Sequence, residues 1–167
     1  MLFRSDQIVG VDTGSRDRSG AVLSELIGQD AVFGMERSAG YGEAVSVALR
    51  HATRRRSGQT DPSLTRIEWI WLLHDDCEPA PQALERLLRA ASKDRSVVVL
   101  GPKVLDGQDR RTLREAGISI DRAGRRITGI DPGEIDQGQH DHNKAVLAVG
   151  SAGMLRSEEH TSERQSP

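Results

Sequence analysis

IEWIWLL, from Ile67 to Leu73, limits the fold more than any other stretch of this sequence. A nearly continuous apolar run of this length, rich in aromatic and β-branched residues, suits a strand covered on both faces. It leads directly into HDDCEPAP, His74 to Pro81, which sets a histidine, two carboxylates and two prolines at the strand end. An apolar strand that stops in three metal-binding side chains can present a divalent cation to a phosphorylated ligand. It can also simply turn: Asp76 would then cap the next helix and His74 would fill a polar corner.

The rest of the chain repeats the alternation. Gln7 to Asp12 reads as a short strand ending in Asp12, followed by a Gly/Ser/Asp turn. SGAVLSELIG predicts a helix capped by Ser19, with Val22, Leu23, Leu26 and Ile27 on one side and Gly28 at its stop. Ala31 to Met35 predicts a second strand. In GYGEAVSVALRHATRRR, Ala44, Val45, Ala48, Leu49 and Ala52 fall at helical spacing, and Arg54 to Arg56 form a solvated helix end. Ser57 to Ser63 is a loop by composition. Pro81 is expected to start a helix whose Leu84, Leu87, Leu88 and Ala91 make one buried stripe. Ser96 to Leu105 predicts a buried strand broken at Gly101 and Pro102. Asp106 to Asn143, rich in Gly, Asp and Arg, predicts an irregular insertion with hairpin turns. Lys144 to Leu155 returns to strand character.

Strands alternating with helices predict an α/β chain with a mostly parallel sheet flanked by helices. Ligands of such sheets gather at the carboxyl ends of the strands. Asp12 sits at one such end and His74 to Asp76 at another.

The 167 residues suit one domain, and a formal net charge of −2 argues against a nucleic-acid partner. A single cysteine, Cys77, excludes an internal disulfide framework and fits a reducing cytoplasm; it has no partner base and reads as inert. No apolar stretch reaches membrane-spanning length. RSEEHTSERQSP, residues 156–167, resembles the translated read-through of a sequencing-library adaptor, and the leader at residues 1–5 resembles the opposite adaptor's end. The native segment is therefore expected to be 6–155, an internal piece of a larger protein.

Mg²⁺ or Mn²⁺ prefers oxygen ligands, with one or two carboxylates from the protein and phosphate oxygens completing the shell. His140 and His142 form a second group: alternate residues of an extended strand share a face, and with His74 they outline a zinc hydrolase. A polar loop over the cleft is the reading preferred for that segment. Tyr41, Trp69 and Trp71 read as packing or rim residues.

Three stretches carry a resemblance to one family. IVGVDTGSRDRSG resembles the VDxGSxDxT stretch of family 2 glycosyltransferases with the GT-A fold. ERSAGYGEAVSVAL is similar to their NxGxxxAxNxG helix start, and WLLHDDCEPAPQALERLL to their D-x-D segment with its trailing EPxxxxLexll. The segments stand in family order and cover nearly all of Gln7 to Leu155. IDPGEIDQGQHDH and AVGSAGML further resemble a bacterial, actinobacterial-like subgroup whose transferase domain often belongs to a large membrane-attached protein.

The resemblance implies a nucleotide-diphospho-sugar transferase-like fold, here incomplete at both ends. It also implies an inverting transfer from a nucleotide-sugar donor to a glycan or lipid-linked acceptor, with Mg²⁺ or Mn²⁺ as cofactor, at the cytoplasmic face of the membrane in a full-length parent. Asp12 matches the carboxylate that meets the nucleobase, where it would accept an imide N–H. Gly40 and Gly42 match small residues near the donor. Asp75 would face the donor's ribose or sugar, and Asp76 matches the metal contact. His74 stands where the family has Asp or Asn; imidazole suits softer metals than Mg²⁺. The family's catalytic base falls beyond Leu155. The rival class is a non-catalytic nucleotide-binding or scaffold module. The isolated chain is expected to transfer no sugar; turnover of any sugar nucleotide by the pure 167-residue protein would overturn that expectation.

Overall fold

The computed structural model describes residues 7–56, 68–142 and 145–158. The leader at 1–5, the loop at Ser57 to Ser63, Ile67, Lys144 and most of the polar tail lie outside them. The chain divides into two compact units, one running to Ile67 and one from Glu68.

The N-terminal unit is a β-α-β arrangement followed by a long helix. Strand β1, Gly10–Asp12, pairs in parallel with β2, Val32–Gly34. Helix α1, Ser19–Ile27, makes the crossover, as parallel pairing requires. Its N-terminal support differs from expectation. Asp17, and not Ser19, supplies the oxygen: its Oδ1 accepts the Ser19 N–H at 2.9 Å. Gly28 ends the helix at φ 90°, a conformation open to glycine. The apolar stripe is narrower than the spacing suggested. Leu23 and Ile27 lie against Gly10, where an added Cβ would come within 2.5 Å of Leu23. Val22 and Leu26 instead face solvent, Leu26 at 76% exposure. Helix α2, Tyr41–Arg56, buries Ala44, and its His51 ring stacks on Phe33 with centroids 3.6 Å apart.

The C-terminal unit holds a three-stranded sheet. Strand β3, Trp69–Trp71, leads through the His74–Pro81 turn to helix α3, Ala83–Lys93, and then to β4, Val99–Leu100. Pro81 lies in the turn just before α3 rather than inside it. Leu87 and Ala91 are buried and Leu84 and Leu88 half-buried, the stripe the spacing predicted. Beyond β4, Gly101 and Pro102 break the chain as expected, and β5, Val104–Leu105, pairs with β6, Leu113–Glu115. The GISI and RRITG pieces form a hairpin of β7, Ser119–Ile120, and β8, Arg126–Ile127.

Strand β9, Leu155–Ser157, changes the expected topology. It runs antiparallel to both β3 and β4 and lies between them. β3 and β4 therefore point the same way, as strands joined through a helix should, but a reversed strand separates them. The sheets are thus not mostly parallel: β1–β2 is the one parallel pair among the described residues, and every other named pair is antiparallel. The reason is the long connection from Leu105 to Leu155, which brings the chain back in the opposite direction with free ladder groups on both edges. The stretch before Leu155 is loop rather than strand, apart from a bridge at Ala148 to Ile118. Among the described residues no helix is long and apolar enough to cross a membrane.

Among the described residues Leu113 and Leu155 are the largest fully buried side chains. Truncation there leaves a cavity that the short strands cannot close. Leu155→Ala is expected to cost about 2–5 kcal/mol in urea unfolding, whereas Leu26→Ala, on the exposed side of α1, should stay within about 0.5 kcal/mol of wild type.

Candidate functional site

His74, Asp75 and Asp76 occupy the turn that leaves β3. The ladder with the returning chain continues past the strand: Leu72 N–H donates to the Met154 carbonyl at 2.8 Å, and Gly153 N–H donates to the Leu72 carbonyl at 2.9 Å. The Trp71 indole N–H donates to the Gly153 carbonyl at 3.1 Å, which ties this tryptophan to the returning chain. Cys77 N–H closes the turn on the His74 carbonyl at 3.1 Å. His74 Nε2 lies 2.9 Å from Ser151 Oγ. Asp75 and Asp76 are exposed, and neither carboxylate takes a hydrogen bond or ion pair among the described residues.

Helix capping does not explain these carboxylates. Helix α3 has Gln82 at its N-cap, with no side-chain cap bond. Asp76 is left as a side chain held at the surface with its oxygens available.

Among the described residues no three His, Cys, Asp or Glu side chains gather as a metal cage. Two exposed carboxylates nonetheless fit a hard cation that keeps water and phosphate oxygens in its shell. They do not fit zinc held by three or four protein ligands. His74 brings its Nε2 to Ser151 and His140 brings its Nε2 to Glu134 Oε1, at 2.8 Å, so the outlined triad of His74, His140 and His142 does not assemble.

Asp12, Gly40 and Gly42 belong to the N-terminal unit. Asp12 closes β1. Its Oδ1 accepts the Ser15 N–H at 3.1 Å and the Ser15 hydroxyl at 2.5 Å, the turn role open to an aspartate here. Its Oδ2 lies against Gly20, where an added Cβ would come within 2.8 Å, and takes no hydrogen bond among the described residues. Gly40 begins α2: its carbonyl accepts the N–H groups of Glu43 and Ala44, each at 3.0 Å. Among the described residues a Cβ at Gly40 or Gly42 would meet nothing within 4 Å, and neither residue has positive φ. Neither chain packing nor backbone strain therefore demands glycine at these places.

The IDPGEIDQGQHDH segment is a knot of polar contacts. Lys103 Nζ donates to both oxygens of Asp136 at 2.8 Å and also to Asp141. Burial acts to lower the Lys103 pKa, but its bonds to Asp136 and Asp141 outweigh it and hold the ammonium above its ordinary value. Glu134 accepts the Asp131 N–H at 2.7 Å, the Gln139 amide at 2.7 Å and the His140 ring. These bonds, the Asp131 N–H first, hold its carboxyl down at about 2. Residue types suggested a polar loop there; the pairing partners, above all Lys103 with Asp136 and Asp141 more than thirty residues on, were not readable. Sequence reasoning also missed Ser151. AVGSAGML was noted as a family stretch, but nothing local tied its serine to His74.

A depressed carboxyl pKa stabilises the folded chain above the unfolded value and loses that contribution as pH falls through the folded value. For Glu134 the window runs from its ordinary 4.5 down to about 2. The Asp131 amide resonance is expected to shift with a midpoint near the lower end of that window, and Glu134→Gln should remove the shift. A midpoint at the ordinary value would show that the carboxylate is not held as described.

No curated protein and no solved structure matches the chain. The profile of glycosyl transferase family 2 does match it, over residues 3–158. That span includes β1 with Asp12, the α2 start with Gly40 and Gly42, and the β3 turn with Asp75 and Asp76. The chain therefore belongs to glycosyl transferase family 2, a family of glycosyltransferases with a GT-A-like α/β fold that act on a nucleotide-sugar donor and an acceptor.

Proposed function

We propose that this chain is the donor-binding part of an inverting glycosyltransferase that builds cell-envelope glycans. The observation that carries the reading is the β3 turn within a family 2 domain: two exposed carboxylates with no partner among the described residues, in a turn tied to its neighbours at Leu72 and closed from Cys77 to His74.

Each residue then has a chemical task. Asp76 offers its carboxylate oxygens to Mg²⁺ or Mn²⁺, and Asp75 turns toward the donor's ribose or sugar. A bound divalent ion supplies positive charge against the departing diphosphate. Asp12 Oδ2 accepts the imide N–H of a uracil or thymine base, while Oδ1 stays bound to Ser15 and fixes the carboxylate's orientation. Gly40 and Gly42 keep side chains out of the path of the donor, which gives a reason for two glycines that packing does not require. In the transfer, the acceptor oxygen bonds to the anomeric carbon as the bond from that carbon to the diphosphate breaks. The hydroxyl proton passes to a carboxylate base, and the nucleoside diphosphate leaves. Attack opposite the leaving group inverts the anomeric centre. The acceptor is a glycan or lipid-linked hydroxyl, on the cytoplasmic face of the membrane in a larger parent. A lone free cysteine, Cys77, suits that reducing side.

Calorimetric titration with UDP- and dTDP-sugars, with and without Mn²⁺, tests the reading. Metal-dependent binding is expected in the wild-type chain and its loss in Asp76→Ala. Asp12→Ala should weaken binding with and without metal, by about 1.5–3 kcal/mol, on the order of tenfold to a hundredfold in Kd. Binding that ignores both Mn²⁺ and Asp76 would instead favour a non-catalytic nucleotide-binding module.

A further inference from the structure

Glu115 is a buried carboxylate that the scheme above does not use. It is 9% exposed, on β6 next to the buried Leu113 strand position. Its Oε1 accepts the Gly150 N–H at 2.8 Å, and its Oε2 accepts from the Arg126 guanidinium. Burying a carboxylate is costly unless charge-assisted bonds offset the lost hydration. Packing alone would be served as well by an apolar side chain.

The Gly150 bond has a consequence at the β3 turn. Gly150 opens the loop that ends at Met154, and that loop is what holds the turn. Ser151 Oγ lies 2.9 Å from His74 Nε2. Gly153 bonds the Leu72 carbonyl through its N–H, and its own carbonyl accepts the Trp71 indole N–H. A Cβ at position 150 would come within 2.7 Å of Glu115 Oε1, so a larger residue there would push the carboxylate off the Gly150 N–H. On the far side of Glu115, Ile118 and Ala148 exchange backbone bonds of 2.8 and 3.1 Å, which keeps β6 and the loop in register.

We infer that Glu115 and Ser151 are positioning residues for the metal-binding turn: Glu115 clamps the loop at Gly150, and Ser151 passes the constraint to His74. His74 is thereby a fixed post in the turn, and Asp75 and Asp76 are the groups offered outward. The inference rests on the reading of this turn as the contact for a divalent ion and the donor's diphosphate. Both residues act through the turn.

Two measurements on the full chain test it. The first is the His74 ring ¹³C–¹H NMR signal in the metal-free protein. It is expected to move in Ser151→Ala and Glu115→Ala, and to return toward wild type in Ser151→Thr, which keeps the hydroxyl. The second is calorimetry with UDP-sugar, with and without Mn²⁺. The metal-dependent component should weaken about tenfold or more in the alanine variants, with the metal-free component unchanged. Glu115→Gln keeps an oxygen for the Gly150 N–H but loses the charge, so it should fall between wild type and Glu115→Ala. If Glu115→Ala does not fold, Glu115→Gln and Ser151→Ala carry the test. Because both act through one loop, the double variant should be no weaker than the worse single one. Folded Ser151→Ala and Glu115→Gln chains with wild-type metal-dependent binding overturn the positioning role alone. A wild-type chain that shows no metal-dependent binding overturns the transferase reading, and this inference with it.

Discussion

The arrangement of the C-terminal unit depends on β9 being hydrogen-bonded along both edges. It sits between β3 and β4, with Leu155 against Trp71 on one side and Leu100 on the other. A strand paired on both sides has no exposed ladder, and its Leu155 and Ser157 are buried. Through this strand the loop that precedes it, Gly150 to Met154, is delivered to the carboxyl end of β3. Remove that pairing and the turn at His74 to Asp76 loses the neighbours that hold it.

The turn shows how a site can be rigid in backbone and open in side chain. The chain leading into it is bonded at Leu72 to Met154 and Gly153, and the Cys77 N–H closes it on the His74 carbonyl. Its histidine is engaged by Ser151. The two aspartates are left without partners among the described residues. Charged groups held outward on a fixed backbone suit recognition of a cation and phosphates, because little ordering remains to be done on binding. Asp12 follows a related pattern, with one oxygen bound to Ser15 and the other unbonded among the described residues.

Much of this was legible from residue order. The stripe of Leu84, Leu87, Leu88 and Ala91 spells a helix because the helical period of 3.6 residues is local. Gly28 marks a helix end because a positive φ is a property of one residue. The hairpin at GISI and RRITG needed only neighbouring turns. The readings that failed turned either on a competing neighbour or on a partner farther along the chain. Ser19 seemed a sufficient cap, but Asp17 reached its N–H first. Val22 and Leu26 match the helical period as well as Leu23 and Ile27 do, and only the position of Gly10 selected between the pairs. The sheet was read as mostly parallel because each strand–helix step favours that, and no local signal announces a reversed strand arriving later.

By itself, then, the sequence determined the local succession of strands and helices, the glycine that ends α1, and the placement of acidic groups at the end of β1 and in the turn after β3. It also carried enough of the family's pattern to identify a glycosyltransferase domain. Only the tertiary structure decided that β9 reverses into the sheet, that Ser151 meets His74, and that Glu115 takes the Gly150 N–H. Periodicity, capping and turn chemistry act over a few residues and are written in order along the chain. Hydrogen bonds between residues such as His74 and Ser151 depend on where distant backbone comes to rest, which no single stretch of residues encodes.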